Sequence, residues 1–77
     1  MRSTRDTLKD ALWDDHLFVE LAHQWGLDIL TDELIDFRRD LADQLAQTDR
    51  DDRWRRRATA LIIRVKARLR LLEGVRK

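Results

Sequence analysis

The residues best suited to chemistry are two histidines and a glutamate that share one face of a predicted helix. His16, Glu20 and His23 stand at positions i, i+4 and i+7, which places their side chains on one side of a helix. Glu20-x-x-His23 also has the ligand spacing of helical di-metal sites, which draw further ligands from other helices. The chain has no other histidine and no cysteine to complete such a set. We therefore expect exposed histidines among acids, with no metal and no cofactor.

The sequence lacks the residues of a covalent catalytic centre. Such a centre needs a nucleophile, a base and an orienting group within hydrogen-bond reach of one another. Cysteine is absent, and the one serine is Ser3, far from either histidine in sequence. We therefore expect no enzymatic activity and no small-molecule substrate.

A basic cluster surrounds Trp54 and consists of Arg53, Arg55, Arg56 and Arg57. In a nucleic-acid-binding protein these arginines would contact phosphates while the indole stacked on a base. In the alternative interpretation Trp54 belongs to the core and the arginines ring the end of a helix, near the acids at 49, 51 and 52. Arg64, further along the same helix, completes the candidate contacts to phosphate or to an acidic partner.

The net charge of +1 conceals a division along the chain. Residues 1–48 contain eleven acids and five bases, a balance of −6, whereas residues 49–77 contain four acids and eleven bases, a balance of +7. Either the two halves face each other in the fold, or the basic half binds phosphates or an acidic protein. Thirteen of the sixteen bases are arginine, which favours bidentate or stacked contacts at an interface.

Residues 18–37 resemble a DNA-binding helix-turn-helix, because small or apolar residues stand where that motif wants them, at Leu21, Ala22, Gly26, Leu27 and Ile35. The candidate recognition helix, however, would present Thr31, Asp32, Glu33 and Asp36. Carboxylates there are repelled by the phosphate backbone. The favoured interpretation is a structural helical hairpin whose first helix ends at Gly26, and DNA binding is the alternative.

The composition predicts an all-α fold in a single domain, residues 1–77. Proline is absent, glycine occurs only at 26 and 74, and no β-branched alternation is visible. A core this small contributes little net stability, and without cysteine the expected supplement is self-association. No signal-peptide-like or membrane-spanning apolar run is present, so we expect a cytoplasmic protein with no membrane contact.

Helical periodicity predicts three helices, at about 5–25, 32–47 and 52–73. Ser3 or Thr4 can cap the first, whose inner side holds Leu8, Ala11, Leu12, Phe18, Val19, Ala22 and Trp25, with Trp13, Leu17 and Leu21 off that side. Asp15 falls in the middle of the inner side, where an unpaired carboxylate is costly to bury. Either Asp15 pairs with an arginine, or the helix breaks near 14–15 and Asp14 or Asp15 caps a second segment.

The second and third helices are predicted to form an antiparallel hairpin. Gly26 would end the first helix, residues 26–30 would turn, and Thr31 would cap the second helix. One continuous helix over 31–73 is disfavoured because its stripes would lie on opposite sides, so Thr48, Asp49 or Asp51 would cap the third. A constant sum near 99 then pairs Leu45 with Trp54, Leu41 with Ala58, Phe37 with Ile62 and Leu34 with Val65.

The third helix shows apolar residues on two sides. Its main stripe is Trp54, Ala58, Leu61, Val65, Leu69 and Leu72, and its second is Ala60, Ile63, Ala67 and Leu71, bordered by Arg56, Arg64 and Arg70. We expect the second stripe to mediate homodimerisation. The predicted function is a small regulator or adaptor that binds another protein, of a size that suits a phage or mobile-element product. The alternative is a nucleic-acid-binding accessory protein that uses the third helix.

Overall fold

The computed structural model describes residues 3–47 and 51–76, and within these ranges the chain is helical with no strand. The helices are α1 (Thr4–Trp13), α2 (Asp15–Trp25), α3 (Leu27–Leu45) and α4 (Asp52–Arg76). The predicted all-α class is confirmed. Four helices are present in place of three, because the first predicted helix is broken near 14–15, as one of the two predicted alternatives had it.

The first corner is a break at Asp14, one of the two alternatives that the position of Asp15 left open. Ser3 caps α1 by accepting from the Asp6 amide at 3.1 Å. Asp14 is extended, with φ −138° and ψ 109°, and its Oδ1 accepts from the amides of His16 and Leu17 at 3.0 and 3.3 Å. One carboxylate thus satisfies two amides that have no acceptor inside the helix, which starts α2 in a new direction.

The second corner is Gly26, which ends α2 with a positive φ of +86° as expected, although its ψ of 155° lies outside the left-handed helical region. Its amide donates to the Ala22 carbonyl at 3.0 Å and closes α2. The predicted turn over residues 26–30 is wrong, because the Leu30 amide donates to the Gly26 carbonyl at 3.1 Å and α3 begins at once. The predicted cap is wrong too: the Thr31 hydroxyl donates to the Leu27 carbonyl at 2.7 Å, inside the helix. Burial of Leu30 in the core explains the early start.

All four helices contribute to one core of buried apolar side chains: Leu8, Ala11, Leu12, Phe18, Leu21, Leu30, Leu34, Phe37, Leu41, Ala58, Leu61, Val65 and Leu72. Two residues of α2 have the opposite burial to that predicted. Leu21 is buried and Val19 is exposed, whereas periodicity through an unbroken helix predicted the reverse. The break at Asp14 is the cause, because it changes the direction in which the following helix presents each position.

Helices α3 and α4 pack against each other, and residues from both line a shared groove. Separate helices exclude the continuous rod. Arg55 joins their neighbouring ends by donating to the carbonyls of Leu45 at 3.2 Å and Gln47 at 2.7 Å. Asp51 caps α4, accepting from the Trp54 amide at 2.7 Å, whereas the other two candidate caps, at 48 and 49, lie outside the described residues. The pairing sum of 99 stays a prediction.

In the part of the chain that the structure describes, none of the helices combines the length and the apolar character that crossing a membrane requires.

Candidate interaction surfaces

The first candidate surface is the second stripe of α4, defined as Ala60, Ile63, Ala67 and Leu71. Ile63 is 62% exposed, Leu71 is 55% exposed, Ala67 is exposed and Ala60 is half-buried. The main stripe of the same helix is in the core through Ala58, Leu61, Val65 and Leu72. Helix α4 is therefore covered on its core side while two large aliphatic side chains stand in solvent on another side.

The second candidate surface is the basic cluster, which the structure divides in two. The Arg55 guanidinium binds the carbonyls at the end of α3 and is half-buried. Arg53, Arg56 and Arg57 are exposed and make no hydrogen bond or ion pair with another described residue. Three exposed cations one to four residues apart therefore have no acidic partner among the described residues and could bind an outside anion.

The remaining candidate contact, Arg64, is used inside the fold. Its Nη1 donates to the Leu12 carbonyl at 3.2 Å, and its guanidinium carbon lies 4.1 Å from the centroid of the Trp13 ring. Leu12 and Trp13 are the last residues of α1, where carbonyls lack intrahelical donors. Arg64 therefore fixes the end of α1 to the middle of α4.

Arg68, one turn after Arg64, contacts α2 on the other side of the junction between α1 and α2. Its guanidinium carbon lies 4.6 Å from the Phe18 ring centroid, and its Nη2 forms an ion pair with Asp15. Both solutions offered for Asp15 are thus realised, since the chain breaks beside it and an arginine pairs with it. Arg68 has no signal for this role in the sequence, because its partner is 53 positions away and no local pattern connects the two.

The ion pairs seen among the described residues do not all join the acidic half to the basic half. Arg68 and Asp15 join the halves, whereas the 2.8 Å ion pair of Arg5 with Asp40 lies within the acidic half, where Arg5 also stacks over Phe37 at 4.9 Å. The exposed arginines of α4 described above lack such partners. The positive charge of α4 therefore remains largely at the surface.

The third candidate surface is the groove between α3 and α4, which the sequence analysis missed. Two adjoining cavities of about 590 and 580 Å³ share Ile35, Arg38 and Lys66. The aliphatic lining is Ile35, Ala42, Leu45, Ile62, Leu69 and Leu72. The charged rim is Arg38, Arg39, Lys66 and Arg70, with Glu73 at one end. The signal in the sequence is that Ile35 and Ala42, seven residues apart, share one side of the helix and have Arg38 and Arg39 between them.

The histidine face remains a pair rather than a cluster. His16 Nε2 lies 3.4 Å from Glu20 Oε1, with both side chains exposed, and His23 is exposed one turn further on. Within 3–47 and 51–76, no three metal-ligating side chains are grouped so that they could hold an ion. The helical spacing alone accounts for the contact.

No family model, curated protein or solved structure matches this chain. The candidate surfaces therefore have to be judged on their own geometry and charge.

Proposed function

We propose that this chain is a non-catalytic helical interaction module, which forms a homodimer through the second stripe of α4 and acts by binding another protein. The observation that supports self-association is the exposure of Ile63 and Leu71 on a helix whose core side is already covered. Ala60 and Ala67 are the small residues of the same stripe, and their size permits close approach of a second helix. Arg56 and Arg70 border the stripe and would form a polar rim around its apolar centre.

A two-fold axis on this face would use the stripe twice. A specific dimer buries on the order of 1,200–2,000 Å² in total, so each protomer would contribute about half of that. This is a modest part of the 5717 Å² of accessible surface of the described monomer. The stripe extends over about 16 Å of helix from residue 60 to residue 71, and the arginines that border it would enlarge the contact.

Light scattering after size exclusion at tens of micromolar tests the dimer. Ile63→Asp and Leu71→Asp should each give a monomeric mass, because dimerisation would bury an unpaired carboxylate. Ile29→Asp is the matched control: Ile29 is 57% exposed on α3 and should leave the dimer intact. Circular dichroism establishes that each variant is folded. A monomeric wild type at this concentration contradicts self-association.

Nucleic-acid binding is the second candidate function, supported by the three exposed arginines Arg53, Arg56 and Arg57. If three phosphates are neutralised, affinity for duplex DNA should fall by on the order of tens-fold between about 50 and 200 mM salt. Changing these arginines to glutamate should abolish the mobility shift. Arg38→Glu with Arg39→Glu, on another surface, is the control. No shift of the wild type at low salt removes this candidate.

A further inference from the structure

We propose that the groove between α3 and α4 binds an acidic amphipathic helix of a partner protein. This surface adjoins the second stripe of α4 and shares none of its four residues. Arg70 lies at the edge of both, since it lines the groove and borders the stripe. The groove is complete within one copy of the chain, so the partner site does not require the dimer.

The floor of the groove is aliphatic and attached to the core. Ile62 and Leu69 are half-buried and pack against the buried cluster, which fixes their positions. Ile35 is half-buried on the opposite wall and is shared by both cavities. A floor of this kind accepts leucine-like side chains spaced at i, i+4 and i+7, which is how helices bind in grooves.

The rim determines the charge of the partner. Arg38, Arg39, Lys66 and Arg70 line the groove, and none has a hydrogen bond or ion pair with another described residue. Glu73 is the one acid of the lining. A helix with glutamates or aspartates on both sides of its apolar face would place them against these cations, and a basic helix would be repelled.

The dimensions fit a short helix. On α3 the lining runs from Thr31 to Leu45, which corresponds to about 21 Å at 1.5 Å per residue. A partner helix of about four turns would extend over that length. Nucleic acid fits less well, because single-stranded binding relies on aromatic rings under the bases and the lining contains none.

The probe is a fluorescein-labelled peptide of about 16 residues, with leucines at i, i+4, i+7 and i+11, glutamates beside them and alanines elsewhere. We expect it to bind the wild-type chain in an anisotropy titration. A peptide of the same composition with the leucine spacing scrambled should bind at least about tenfold more weakly, and so should one with lysine for every glutamate. Equal binding of all three peptides, or none, overturns the proposal.

Paired variants locate the site. Arg38→Glu with Lys66→Glu should weaken peptide binding by at least about tenfold, whereas Arg53→Glu with Arg57→Glu changes the net charge equally and should weaken it by less than about threefold. Ile35→Asn should weaken it as well, and Ile29→Asn should not. Equal losses in the two charge-reversed proteins would mean diffuse attraction rather than a groove, and would contradict the proposal.

Methyl chemical shifts separate the remaining occupants. The peptide should shift Ile35, Ile62 and Leu69, and leave Ile63 and Leu71 unchanged. If duplex DNA displaces the peptide and loses its own binding with Arg38→Glu and Lys66→Glu, the groove belongs to nucleic acid and the proposal fails. It also fails if that variant turns a dimer into a monomer, because the occupant is then a second copy. Monomeric Ile63→Asp should still bind the peptide, so the two proposals succeed or fail independently.

Discussion

The guanidinium carbon of Arg64 lies 4.1 Å from the centroid of the Trp13 ring, across the contact between α4 and the end of α1. The same guanidinium donates to the carbonyl of Leu12. Trp13 is 53% exposed, so the arginine covers an aromatic face that the core leaves in solvent. A residue that sequence alone assigned to an outside anion thus holds two helices together.

Arg64→Ala should lower the free energy of unfolding by about 1–2 kcal/mol, since it removes a charged hydrogen bond and a cation–π contact. Urea denaturation at one fixed protein concentration measures the change. Arg56→Ala is the matched control on the same helix, exposed and without a described partner, and should stay within about 0.5 kcal/mol of wild type. Equal effects would show that the corner does not depend on Arg64.

Asp14 caps the N-terminus of α2, and replacing it should destabilise the junction between α1 and α2, which Arg64 and Arg68 contact. Asp14→Ala should cost about 0.5–2 kcal/mol, because two amides at the start of the helix lose their acceptor. Asp14→Ser should recover most of that loss, since serine is also a good N-cap. Asp32→Ala, an exposed acid within α3, is the control in thermal melts. A loss with Asp14→Ser as large as with Asp14→Ala would mean that the cap is not the cause.

Leu41→Ala tests the packing of α3 on α4. Leu41 and Ala58 are both buried in the core, and truncating a buried leucine costs roughly 2–5 kcal/mol. In a domain this small a loss of that size populates the unfolded state, so Leu41→Met provides a milder change that should cost less than about 1.5 kcal/mol. Ile29→Ala, at an exposed position of the same helix, is the control. A fall in melting temperature no larger than that of Ile29→Ala contradicts the burial of Leu41.

Features that depend on local periodicity were predictable from the sequence. Leu34, Leu41, Ala58 and Val65 are buried as expected because they recur at helical spacing within uninterrupted segments. Gly26 was predictable because few other residues adopt its φ. That both solutions for Asp15 occur together was not predictable, because its partner is Arg68, 53 positions away in the chain.

The groove between α3 and α4 shows why the candidate sites were harder to predict. Ile35 and Arg38 lie on one helix and Lys66 on the other, and only the packing of the two helices brings them together. Arg64 illustrates the opposite error. Its place beside Ile63 in the sequence indicated a surface charge, yet the side chain reaches back to α1. Local patterns report which residues share a helix face, and the neighbours across an interface come from the tertiary fold.

Replacing each of the two glycines by alanine should change the stability of the chain in opposite directions. Gly26 has φ +86° and ψ 155°, and an added Cβ would meet no atom within 4 Å. Gly74 lies within α4 with equally open surroundings. Steric crowding is therefore absent at both positions, and the difference between them is backbone conformation alone.

Gly26→Ala should cost about 1–3 kcal/mol, because the region with φ positive and ψ near 150–180° is almost restricted to glycine. Gly74→Ala should instead stabilise the chain by roughly 0.5–1 kcal/mol, since alanine has less freedom to lose on entering a helix. Urea denaturation of the two variants beside wild type measures both changes. If Gly26→Ala were as stable as wild type, the connection between α2 and α3 would have to adopt another conformation, and α3 would not begin at Leu27.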